Sequence, residues 1–384
     1  MKVLIKEARR QLVLAAKAYI SKDEHGKYRM VELGREPMYL LGKPGIGKTE
    51  IVRSVAEELG IGFVSFSLTH HTRNSLLGLP VIRELPDGRK FTEFTMSEII
   101  AAVEKSVKNG HKEGILMLDE FNSVSETILP SMLAFLQTKN IGEYSLPEGW
   151  MITLAGNPKE YNRSARALDI ALLDRVRKLE IEFDEQVFLE YAKESGFHPA
   201  IISFLSLYPS YCYVMVTEEG KEEAVTARGW ENLSRTLKIY EQLDFPIDAE
   251  LVMQFIKSDR VIYEFMNHLA LLSAGCDERQ VEKVLSGLNV SDFREHCENL
   301  PDRILWMISD YLYRLIGKHE RKKTPKQRLD QEVTNAFQFL EDLPSHMPLE
   351  RFFSVVSRDE ELVKIMVQQK NRMYIRLCKE FLAA

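Results

Sequence analysis

The segment Gly42-Lys43-Pro44-Gly45-Ile46-Gly47-Lys48-Thr49 sets three glycines, two lysines and a threonine between an apolar run, Met38 to Leu41, and a stretch of helical periodicity from Glu50 to Leu59. Strand, glycine-rich turn and helix is the context in which successive backbone N–H groups turn inward onto phosphate oxygens. The helix N-terminus adds partial positive charge at the same point. In that arrangement Lys48 reaches the β- and γ-phosphates and the Thr49 hydroxyl ligates Mg²⁺. The loop residues Gly42, Pro44, Gly45, Ile46 and Gly47, with Glu50 at the helix start, complete the expected nucleotide-binding set. An ordinary glycine-rich turn is the alternative, and the flanking strand and helix weigh against it.

A second group of residues has the types that phosphate chemistry needs. Ile115-Leu116-Met117-Leu118 ends in Asp119-Glu120, two carboxylates at the C-terminal end of a buried strand, where open α/β sheets bind ligands. Asp119 is placed to hold Mg²⁺ and Glu120 to orient and polarise an attacking water. Asn157, after Ala155-Gly156, would sit beside the γ-phosphate, where a neutral amide hydrogen-bonds both phosphate and water; Asn-Pro is also a turn signal. Leu173-Asp174-Arg175-Val176-Arg177 follows an apolar stretch from Leu168. An arginine there either caps a helix or reaches a neighbouring subunit's γ-phosphate, with Arg175 preferred over Arg177 and with Arg163 and Arg166 as secondary contacts. Arg228 opens a later helix and either folds back onto the phosphates or is a surface residue at a helix start, which the helix dipole slightly disfavours. His70 and His71 lack partners at metal-ligand spacing and read as structural or solvated.

These residues must be positioned by a βα series. Apolar runs predict strands at Met38–Leu41, Gly62–Ser67, Gly114–Leu118 and Met151–Ala155, the last two central and buried on both faces. Leu179, Ile181 and Phe183 alternate with Glu180 and Glu182, the pattern of a half-exposed edge strand. Strands alternating with helices predict a three-layer α/β domain over residues 37–183. It is preceded by an amphipathic helix at Leu4–Ile20 and a connection (1–36), and followed by an all-α domain (184–275) and a helical C-terminal region (276–384). Pro86-Asp87-Gly88 predicts a hairpin over Val81–Phe94. Asn140–Trp150 predicts a second hairpin or loop. The basic run Lys318–Arg328 reads as a linker.

With 384 residues and a net charge of −6, the chain has no overall electrostatic footprint for nucleic acid. Four scattered cysteines are expected to be buried thiols in a reducing compartment. Lys6, Arg9, Arg10 and Lys17 interrupt the first twenty residues, which therefore lack a signal-peptide layout. The expected location is cytoplasmic, without a membrane span.

Taken together, these motifs resemble an AAA+ ATPase, and within that class the MoxR-like group. The likeness is carried by the order of the glycine loop, Leu76-Leu77-Gly78-Leu79-Pro80 leading into a hairpin, Leu118-Asp119-Glu120-Phe121-Asn122, Ala155-Gly156-Asn157-Pro158, Leu173-Asp174-Arg175 and Ala227-Arg228. It covers about residues 35–275. Ser123 stands where the group usually has a basic residue, and Thr226-Ala227-Arg228 where Ser-Pro-Arg is more usual. The resemblance implies ATP and Mg²⁺ as ligands, Arg175 as a finger acting in trans and Arg228 as a second sensor. It also implies a ring, usually a hexamer, that remodels a partner protein, often one carrying a von Willebrand A domain. A nucleic-acid motor on the same ATPase core is the alternative; the net charge and the single basic run favour a protein partner.

Overall fold

Six parallel strands form the central sheet, in the order β1 (Lys2–Leu4), β10 (Arg177–Glu182), β2 (Met38–Gly42), β9 (Trp150–Gly156), β6 (Gly114–Asp119) and β3 (Gly62–Ser67). The computed structural model describes residues 2–30, 36–161, 173–218, 221–288, 290–318 and 324–381. Every residue of β9 is buried, as is β6 up to Leu118, which is why both read as unbroken apolar runs. Leu116 and Leu118 pack with Ile99 and Val103 of α4 (Glu98–Lys108) and with Met132 and Phe135 of α5 (Leu129–Thr138). The intervening Ile115 and Met117 are equally buried, and by the pleat they face the opposite layer. That layer contains α1 (Ile5–Ile20) and α2 (Lys48–Leu59), which pack together, with α2 against β6. In α1, Ala8, Leu12, Ala15, Ala16 and Tyr19 form the buried stripe.

One strand differs from its expected place. β10 is not an edge strand, because β1 pairs outside it through Lys2↔Glu180, Val3↔Ile181 and Leu4↔Glu182. Its apolar–acidic alternation reports one buried and one wetter face, not a free edge. A three-residue strand leading straight into α1 carries too short a pattern to be read as one.

The two expected insertions are antiparallel hairpins. β4 (Pro80–Glu84) pairs with β5 (Lys90–Phe94) across Pro86-Asp87-Gly88, and β7 (Asn140–Ile141) pairs with β8 (Tyr144–Ser145). The short helix α3 (Arg73–Leu77) precedes the first of them and is closed by a capping box between Thr72 and Ser75.

By its internal contacts the chain divides into two units, Met1–Phe188 with Thr226–Arg228, and Leu189–Val225 with Gly229–Ala384. In the second unit, helices such as Asp302–Lys318, Lys326–Glu341 and Met347–Ser357 surround one apolar cluster that runs from Leu271 to Leu377. Phe337 meets Phe352 edge-on at 5.0 Å in it. The unit also holds a ribbon absent from the expected all-α pattern: β11 (Val214–Glu218) pairs with β12 (Lys221–Val225). The charged start of β12, Lys-Glu-Glu, hides its strand character. No helix among the described residues is long and apolar enough to cross a membrane.

Candidate nucleotide site

The glycine loop joins β2 to α2, and its backbone takes a shape that few residues tolerate. Gly45 and Gly47 lie at φ +71° and +94°, in the left-handed region where a Cβ is disfavoured. Gly47 is the N-cap of α2 and supplies no side-chain cap, so the first N–H groups of the helix are left for an anion. Ile46 is buried and anchors the loop. Glu50 points away on the exposed side of α2, paired with Arg53 at 3.5 Å.

Lys48 is buried, and its Nζ donates to Gly42 O, Lys43 O and Asn157 Oδ1, each at 2.8 Å. Burial pushes its ammonium down to about 8. The neighbouring Arg228 charge lowers it further, while Asp119 and Glu120 oppose the shift. Arg228 reaches this loop through its backbone, its N–H donating to Gly45 O at 3.3 Å.

β6 and β9 deliver their C-terminal residues beside the loop because the two strands are neighbours. Thr49 Oγ1 donates to Asp119 Oδ2 at 2.9 Å, and Asp119 Oδ1 accepts from the Glu120 N–H at 2.8 Å. Thr49 and Asp119 thus present two hard oxygen donors side by side, the chemistry that suits Mg²⁺. With the anion-ready helix end and the Lys48 cation, these residues fit a Mg²⁺–nucleotide.

Glu120 sits at φ +56°. A left-handed conformation costs a non-glycine residue about 1–2 kcal/mol, and strain of this kind concentrates at functional sites. The turn aims its carboxylate at the end of the adjacent strand β3. There Glu120 Oε2 accepts from Ser67 Oγ at 2.6 Å and from Thr69 Oγ1. Asn157 is held in turn by Asn122, whose Nδ2 donates to Asn157 O at 2.7 Å and whose Oδ1 accepts from the Asn157 N–H at 3.3 Å. Ser67, Thr69 and Asn122 are partners that the motifs did not single out. Only the polar ending of an otherwise apolar strand signalled the first.

Arg175 precedes β10 by two residues and meets Gln137 of α5. Gln137 Oε1, in the orientation its hydrogen bonds require, accepts from Arg175 Nε at 2.6 Å and from an Nη at 3.3 Å. Arg177 begins β10 and is exposed, its N–H bonded to Pro37 O at 2.9 Å. Arg163, Arg166 and the stretch from Leu168 to Leu172 lie outside the described residues, as does the His70 side chain. His71 packs on Phe66 and places Nδ1 3.2 Å from Glu98 Oε2. Residues 319–323 of the basic run are likewise outside, and Lys326 to Arg328 begin a helix.

Comparison with known proteins agrees with this geometry. Residues 38–178 match the sequence model of the ATPase family associated with various cellular activities (AAA). Among solved structures, the chain is similar to the RuvB Holliday junction branch migration motor of Thermotoga maritima. That match has 13% identity and a TM-score of 0.36 over 73% of this chain and 74% of that one. A point mutant of the same protein matches with 14% identity and a TM-score of 0.37 over 81% and 83%. Scores this low leave the assignment to the family match and to the site itself. Residues 38–178 are an AAA ATPase domain, and the reaction of its site is the hydrolysis of ATP.

Proposed function

We propose that this chain is a MoxR-like ATPase that assembles into a ring and uses ATP hydrolysis to remodel a partner protein. The observation that carries the choice of a protein partner is the β4–β5 hairpin. Val81, Ile82, Leu85, Phe91 and Phe94 are all exposed on it, Ile82 at 74%. Its three basic residues, Arg83, Arg89 and Lys90, are matched by Glu84, Asp87 and Glu93. Arg83 pairs with Glu93 at 2.8 Å and Arg89 with Asp87 at 2.7 Å. A phosphate backbone calls for unneutralised cations, whereas exposed apolar patches mark contacts with protein.

In this reading Lys48 and the N-terminus of α2 hold the phosphates, and Thr49 and Asp119 hold Mg²⁺, which neutralises charge on them. Glu120 leaves its two hydroxyl partners to take a proton from the attacking water. Asn157 fixes the line between water and phosphate. Arg175 serves a neighbouring copy, where a finger in trans is worth roughly 10³–10⁵ in rate. Arg228, at the loop, senses the nucleotide.

The test is ATP turnover by the full chain with a reduced, carboxymethylated polypeptide or with single-stranded DNA. Stimulation by the polypeptide, lost in Ile82→Asp/Phe91→Asp while basal turnover persists, is the expected result. Stimulation by DNA alone would overturn the protein-remodelling assignment and leave the ATPase intact.

A further inference from the structure

Odd- and even-numbered residues of the β4–β5 ribbon use their backbones differently. At its base the Thr95 N–H donates to Leu79 O at 2.9 Å, and near its tip the Leu85 N–H donates to Arg89 O at 2.8 Å. Both pairs belong to the register that sets Val81 against Glu93 and Arg83 against Phe91. In an antiparallel ladder, hydrogen-bonded and non-bonded pairs alternate. The odd-numbered residues therefore hold the ribbon together, and the even-numbered ones turn their backbone groups outward.

The two outer edges are unequal. On β4, Pro80 has no N–H to offer, which leaves those of Ile82 and Glu84. On β5, Lys90, Thr92 and Phe94 present N–H and C=O groups in an uninterrupted row, and among the described residues no other strand pairs with it. An extended backbone satisfies such a row group for group, which is how strand addition recognises peptides. Lys90 at the tip end of this edge favours an acidic neighbour, because opposite charges on adjacent strands attract.

We propose that β5 takes an extended segment of the partner protein as a third strand, hydrogen-bonded to Lys90, Thr92 and Phe94. Apolar residues of the segment lie beside Phe91 and Phe94, and an acidic one lies beside Lys90. This deepens the protein-partner reading of the hairpin and rests on it. A second copy of the chain is a poorer occupant. The five residues of β5 extend about 17 Å at ~3.4 Å each. That edge is too short to bury the ~1,600 Å² of a standard stable interface, whereas a segment being remodelled must be released as well as held.

The experiment is fluorescence anisotropy of a short dye-labelled peptide, alternating valine and threonine about one glutamate, titrated with the full chain. Its N-methylated counterpart keeps every side chain and loses the backbone donors. Saturable binding of the unmodified peptide alone is the expected result. Thr92→Pro removes an outward N–H of β5 and spares the ribbon's own ladder, the kind of edge position where a strand accepts proline. It is expected to weaken binding at least about fivefold, the worth of one backbone hydrogen bond. Thr92→Val keeps that N–H, and Glu84→Pro removes one from β4 instead, so both are expected to bind normally.

Equal binding of the two peptides, no saturable binding, or undiminished binding by Thr92→Pro would each overturn strand addition. Self-association that Thr92→Pro abolishes, without peptide binding, would give the edge to a second copy. If Thr92→Pro does not fold, the two peptides on the unaltered chain decide alone. A chain whose turnover responds to unfolded polypeptide, yet which binds both peptides alike, keeps its protein partner and loses only the third strand.

Discussion

Lys48 Nζ and Asn157 Oδ1 stand 2.8 Å apart, a lysine of the phosphate loop donating to an amide at the end of a different strand. The bond links the residue proposed to bind phosphate to the residue proposed to sense it. Because its Oδ1 is committed to Lys48, Asn157 presents its NH₂ outward, and Asn122 fixes the backbone behind it.

Asn157→Ala removes that donor and one of the three acceptors of Lys48, leaving Lys48 the carbonyls of Gly42 and Lys43. The expected result is a fall in kcat of about 10²–10³-fold, the usual effect of losing one preorganised donor, with ATP affinity within a few-fold of normal. Asn122→Ala is expected to produce a smaller loss of the same kind. Equilibrium binding of a fluorescent ATP analogue, measured beside turnover, separates the two. A large loss of affinity with kcat unchanged would contradict the assignment.

Lys48 is expected to make nucleotide binding pH-dependent. Its folded-state pKa of about 8 lies below the ordinary 10.5. The unfolded chain therefore binds more protons between those values. Through this residue alone, stability rises as pH climbs from about 8 to 10.5, and the cost of the buried cation is fully present below 8. Phosphate favours the charged form, so ATP binding at pH 8–8.5 is expected to draw in protons and to weaken as pH rises further. Calorimetry in buffers of different ionisation enthalpy reads this directly. The effect should vanish in Lys48→Met, and an unchanged buffer dependence there would remove Lys48 as its source.

Arg175 is expected to work on a neighbouring copy, and mixing tests this without a structure of the assembly. Arg175→Ala keeps its own loop and Glu120, whereas Glu120→Gln keeps its own Arg175. Each alone is expected to lose at least about 10³-fold in turnover. A mixture should regain activity, because some Arg175→Ala sites then receive an intact arginine from a Glu120→Gln copy. Inactivity of the mixture, or normal turnover by Arg175→Ala alone, would assign the residue a role within its own copy.

The parts of the site that are legible in sequence lie at the ends of unbroken apolar strands: the loop after β2, Asp119-Glu120 after β6 and Asn157 after β9. There a short motif and its element are contiguous, and adjacency in the sheet follows from topology. The partners that set these residues in place are not contiguous with them. Ser67 is 53 residues from Glu120, and Asn122 is 35 from Asn157. Gln137 meets Arg175 only because α5 packs on the sheet. Ser, Thr, Asn and Gln at such positions look like any polar surface residue until the chain closes. The same holds for β1 and β12, one too short and the other too charged for periodicity to reveal.

The β4–β5 ribbon has a cost beyond the site. Among the described residues each of its strands pairs only with the other, so both outer edges offer unpaired N–H and C=O groups beneath an apolar surface. That combination is the usual seed of edge-to-edge aggregation. Arg83 and Glu84 on one strand and Lys90 and Glu93 on the other, one charge of each sign per strand, act as the gatekeepers that keep it in check. Colloidal behaviour therefore depends on these four charges. High salt, which screens them, should shorten the shelf life of the dissolved chain well before it disturbs the fold.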